Sequence, residues 1–85
     1  MSERRPSPLE QLAPGMHAVV CAIQGGAEFS GRLAGMGLVR GAPIEMLQNV
    51  GRGPLLVRVH ETRIALGRGE AMKILVQESR DESAA

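Results

Sequence analysis

A small, mostly β barrel of about five strands with one short helix is what this sequence predicts, and three observations carry it. The chain has 85 residues, enough for a single modest core. Eleven Gly and five Pro in so short a chain mean frequent turns. Between those turns lie short apolar runs that alternate with polar residues in the strand period of two. The core must be aliphatic, because Phe29 is the sole aromatic residue.

In chain order, residues 1–8 hold two prolines and read as a mobile leader, and the polar stretch 78–85 reads as a mobile tail. That leaves a folded unit over residues 9–77. Leu9 and Leu12 are spaced for one helical turn that plugs a core, and Pro14-Gly15 turns the chain after it. Residues 16–24 form a strand whose poor alternation calls for burial on both faces or a bulge. Gly25-Gly26 breaks it. Phe29, Leu33 and Met36 then fall at i, i+4 and i+7, one face of a short helix. Gly37 is placed to cap that helix in the left-handed conformation, with Leu38 folding back on Leu33. After a turn at Gly41, strands follow around Ile44/Met46, Leu55/Val57/Val59, Ile64/Leu66 and Ile74/Val76. The tips are expected at 51–54 and 60–62. Short strands at such spacing suggest a closed or half-closed barrel, and closure would hide the edges of such apolar strands.

Composition narrows the function classes. The formal net charge is +1, which argues against a dedicated nucleic-acid or membrane-surface binder. A small barrel that binds nucleic acid normally stacks bases on aromatic side chains, and this chain has one aromatic residue, assigned to the helix core. No apolar run approaches the roughly 20 residues of a membrane span. Cys21 is the single cysteine, so no internal disulfide can form, and a reducing, cytoplasmic setting is expected. The start of the chain shows no secretory signal pattern.

Catalysis lacks a motif. Ser30, Cys21, His17 and His60 are the candidate nucleophiles and bases, and none stands in a nucleophile motif. Residues 35–41 miss the dinucleotide fingerprint by one position, and they follow a helix instead of a strand. The chain therefore reads as a binding module and not an enzyme. Its candidate partner surface is Arg52, Arg58 and His60, and Arg40 is a further candidate. Arg58 and His60 alternate with inward-facing Val57 and Val59, and arginine suits bidentate contacts at interfaces. No cofactor is required. For a divalent metal, zinc or iron, the candidates are His60 and Glu61 at a hairpin tip and His17 with Cys21, four apart on one strand face. Either pair is half of a coordination shell. Any site should be weak, at the surface and completed by a second copy across a twofold axis.

The order of motifs resembles the FeoA family of ferrous iron transport accessory proteins. Leu12-x-Pro14-Gly15, Gly25, Arg32-Leu33, Met36-Gly37-Leu38 and Gly41 carry the likeness, followed by Pro54, Leu66, Glu70-Ala71, Ile74 and Val76. It departs at Gly35, where the family often has an acidic residue. Gly67-Arg68 stands where Arg often follows the late leucine directly, and Glu61-Thr62 replaces a Gly-Tyr. The resemblance implies an SH3-like barrel, a cytoplasmic location and work beside FeoB, the membrane iron permease with a GTPase domain. In this role the chain would be an adaptor that binds the permease and does not itself enter the membrane. The alternative implied by a similar barrel, the C-terminal domain of iron-dependent repressors, is a regulatory domain that responds to divalent metal.

Overall fold

The computed structural model describes residues 5–79. Six antiparallel strands form one sheet in the order β1-β6-β2-β3-β4-β5. The strands are β1 (Ser7–Pro8), β2 (His17–Ile23), β3 (Pro43–Gln48), β4 (Leu55–Val59), β5 (Thr62–Leu66) and β6 (Ile74–Ser79). A 3-10 turn at Leu9–Gln11 follows β1, helix α1 (Ala27–Ala34) links β2 to β3, and a four-residue helix α2 (Arg68–Ala71) links β5 to β6. Side chains from the whole width of the sheet enter one core. Leu9 and Leu12 beside β1, Val20 and Ile74 at the centre, and Ile64 and Leu66 on β5 all belong to the same buried cluster. A single sheet whose two edges share one core is curled into a barrel.

Two features differ from the sequence reading of the ends and the strand count. Ser7 and Pro8 pair with Val76 and Leu75, and β6 continues to Ser79, so pairing reaches beyond the expected 9–77 at both ends. The rest of the expected leader and tail, residues 1–4 and 80–85, lies outside the described residues. The two-residue β1 is too short for a period-two pattern, which is why it raises the count from about five to six.

The irregularity of β2 is a bulge. Its register with β6 shifts between Val20 and Ala22, leaving Cys21 as the extra residue. Cys21 is half-buried, and its thiol points a weak donor at the Val19 carbonyl oxygen, 3.7 Å away.

Helix α1 ends as its sequence predicts. Gly37 has φ +92°, its N–H donates to the Ala34 carbonyl at 3.0 Å, and the Leu38 N–H donates to the Leu33 carbonyl at 3.0 Å. These two bonds are the Schellman motif, and Leu33 and Leu38 are both buried beneath it. Met36 does not join them: it lies past the helix and is 37% exposed. Leu38, folding back, takes the inward place that helical spacing assigned to Met36.

Arg32 and Glu70 then tie the two helices together. Arg32 Nη2 lies 3.0 Å from Glu70 Oε2, while Glu70 Oε1 accepts the Gly67 N–H at the start of α2. That is half of a capping box, since Gly67 has no side chain to reciprocate. The half-buried Phe29 ring receives both Arg32 and Lys73, at 5.6 and 5.2 Å from its centroid. Asn49 similarly pins the 3-10 turn, donating to the Glu10 and Leu12 carbonyls while its oxygen accepts from Arg68 and from the Gly51 N–H.

Candidate functional site

Polar side chains converge on the outward face of β2, β3 and β4. The register places His17 opposite Glu45, Glu45 opposite Arg58, and Arg58 opposite Arg63, a row that crosses four strands. Strand alternation aims every member of that row away from the core, because Ala18, Ile44, Val57, Val59 and Ile64 fill the inner face. Arg58 Nη1 lies 3.4 Å from Glu45 Oε1, a pair open enough to solvent to contribute little stability.

His60 completes the group. The turn between β4 and β5 has two residues, His60 and Glu61, and it closes on the Val59–Thr62 pair. His60 takes φ +59°, the single positive φ among the described non-glycine residues. Its ring turns back toward the α1–β3 loop: a Cβ built at Gly37 would sit 3.9 Å from His60 Cδ2 and 3.5 Å from Val59 Cγ1. Together His17, Pro43, Ile44, Glu45, Arg58 and His60 line an open cleft of about 210 Å³. An apolar floor with two imidazoles, one carboxylate and one guanidinium suits a protein contact or a shared metal.

The expected site residues are thus partly gathered and partly dispersed. His17 and His60, distant in sequence, share the cleft. Cys21 is not among its lining, since the bulge interrupts the regular strand on which its pairing with His17 rested. Glu61 is exposed at the turn and also stays outside. Among the described residues, no three His, Cys, Asp or Glu side chains come close enough to hold a metal ion.

Of the residues expected at a partner surface, Arg58 and His60 share the cleft, but Arg52 does not. It lies beyond the other end of β4, on the Gly51–Gly53 tip, and is not among the residues that line the cleft. Arg40 is elsewhere again. It rims a shallow apolar groove formed by Ile23, Ala27, Ala34, Leu38 and Val39 beside α1. The cleft's cross-strand partners Glu45 and Arg63 were missed, because register cannot be read from alternation within single strands. For Glu45 the available signal was a charge opposite to that of Arg58 on a neighbouring strand; Arg63, a like charge, offered none.

Comparison with known proteins places this geometry in context. The FeoA domain matches residues 7–78. A Methanocaldococcus jannaschii protein named as an Fe(2+) transport protein A is 33% identical over 72 residues, covering 85% of this chain and 87% of its own. A crystal structure of an iron uptake regulatory protein (FeoA) superposes with a TM-score of 0.83 at 33% identity, over 88% of this chain and all of that one. The zinc complex of Stenotrophomonas maltophilia FeoA, a prokaryotic SH3 domain protein, matches with a TM-score of 0.74 at 34% identity, over 86% and 95% of the two chains. A manganese-dependent transcriptional repressor shares the fold alone, at 17% identity and a TM-score of 0.79, with 93% of this chain and 45% of that one covered.

Proposed function

The chain belongs to the FeoA family of ferrous iron transport accessory proteins, with the SH3-like fold of that family, and from this premise we propose that it is a cytoplasmic adaptor that binds the soluble part of an FeoB-type permease. The observation that carries the reading is the cleft around Arg58 and His60. A rigid barrel presents it, its floor is apolar, and its charges stand on strands whose other faces are fixed in the core. Such a surface meets a folded partner without having to order itself first, which lowers the entropic cost of association. No helix among the described residues is long and apolar enough to cross a membrane.

A pull-down with the permease's GTPase domain, with and without GTP, tests the proposal. Retention that is lost with Arg58→Glu supports it, and equal retention of wild type and variant removes the cleft from the interface.

Metal enters as a secondary property. His17 and His60 supply two nitrogens in one cleft, half of the four ligands that zinc prefers. The zinc complex of the Stenotrophomonas relative is in keeping with zinc binding here, and with two ligands in the cleft such a site would be weak, at the surface and completed by a second copy of the chain.

A further inference from the structure

We infer that the free edge of β5 accepts an extended segment of an acidic partner by strand addition. Strand β5 ends the sheet order, with β4 its sole hydrogen-bonded neighbour. Pairs in an antiparallel ladder alternate between bonded and non-bonded, and the two-residue turn makes Val59–Thr62 the first bonded pair. Thr62, Ile64 and Leu66 therefore spend their backbone groups on β4. Arg63 and Ala65 direct theirs outward, and among the described residues no further backbone hydrogen bond reaches β5. Both residues are exposed.

Charge and shape specify the occupant. Arg63 stands directly opposite Arg58, a like-charge pairing that is unfavourable when left alone. Glu45 serves Arg58, and Arg63 has no carboxylate partner among the described residues. An acidic side chain on an added strand would sit beside Arg63. Two residues along, an apolar one would meet Ala65 and its cross-strand neighbour Leu56, which is half-buried on the same face. A second copy of this chain is a poorer occupant, because it would bring its own Arg58 and Arg63 to the same edge. The inference deepens the partner reading given above and rests on it only for the identity of the protein that carries the segment.

The full chain, isotopically labelled, is titrated with an acetylated and amidated peptide Thr-Glu-Thr-Val-Thr-Glu-Thr while amide exchange is followed by NMR. The Arg63 and Ala65 amides should become protected, with Thr62, Ile64 and Leu66 protected throughout. Ala65→Pro removes an outward donor without breaking a bond to β4, so it should leave melting unchanged and weaken the peptide about tenfold. Arg63→Glu should weaken this peptide and favour one with Lys in place of Glu, which decides the matter even if the proline variant fails to fold. No binding at millimolar peptide, protection confined to other strands, or indifference to both substitutions would overturn strand addition. Binding of the permease's GTPase domain without binding of the peptide would overturn strand addition and leave the partner reading standing. The reverse would overturn the partner and leave strand addition.

Discussion

Leu33→Ala tests the joint on which the helix, its cap and the barrel depend. Leu33 is 1% exposed and Leu38 is fully buried, and both belong to the common core. Truncation removes three carbons from a close-packed site. The Leu38 backbone cannot sink into the void, because its N–H is held to the Leu33 carbonyl at 3.0 Å and Gly37 fixes the turn. A buried leucine cut to alanine costs about 2–5 kcal/mol, and a site that relaxes poorly keeps its cavity and falls in the upper half, about 4 kcal/mol. For a domain of this size each kcal/mol lowers Tm by roughly 4–8 °C, so the expected drop is roughly 16–32 °C in a circular dichroism melt. Met36→Ala is the matched control, and at 37% exposure it should cost under about 1 kcal/mol. A melt unchanged by Leu33→Ala, or an equal loss from both variants, would refute the assignment of Leu33 and Leu38 as the anchor.

Three further outcomes follow from the geometry. Gly37→Val should destabilise by about 1–3 kcal/mol in a denaturant titration, because φ +92° is hostile to a β-branched residue and the new Cβ meets Val59 at 3.5 Å. Glu70→Gln keeps an acceptor for the Gly67 N–H but removes the ion pair with Arg32, and since that pair is largely exposed the loss should stay under about 1 kcal/mol and vanish in high salt. In sedimentation experiments zinc should promote association of the wild type, less so of His17→Ala or His60→Ala, and the effect should fade on acidification because a protonated imidazole cannot ligate. Association untouched by either substitution would remove the cleft as the zinc site.

Most of the fold was legible because local rules and tertiary packing agree in this chain. The 33–38 cap could be read from Leu33, Gly37 and Leu38 since the Schellman motif binds backbone conformation to one hydrophobic contact. The β2 bulge announced itself as failed alternation, although which residue was extra depended on β6. Met36 was misplaced because helical periodicity was extended two residues beyond the last helical one, Ala34. The site was less legible. Each of His17, Arg58 and His60 could be picked out, yet their convergence is a property of β2-β3-β4 register, to which single strands are blind. The same blindness grouped Arg52 with Arg58, because alternation specifies a face and says nothing of distance along it.

The residues that carry the family likeness are mostly not those that would meet a partner, and the structure connects the two sets. Arg32-Leu33 and Glu70-Ala71 are joined through the Arg32–Glu70 pair, with Leu33 and Ala71 buried below it. A Cβ built at Gly37 would lie 3.5 Å from Val59 Cγ1 and 3.9 Å from the His60 ring, so the turn that caps the helix lies beside the turn that carries His60. A Cβ at Gly37 would meet both at ordinary contact distance, so any shift that relieves the strain of a side chain at positive φ moves atoms in touch with Val59 and the imidazole. Gly37→Ala should therefore do more than destabilise. At φ +92° it forces the loop to shift, and the displacement is delivered to His60. Partner capture by the folded Gly37→Ala protein should fall even at temperatures well below its melt, whereas Leu33→Ala, measured equally far below its own melt, should bind normally. If both variants lose binding only in proportion to their unfolded fraction, the turn supports the fold alone, and the motif has no route to the cleft.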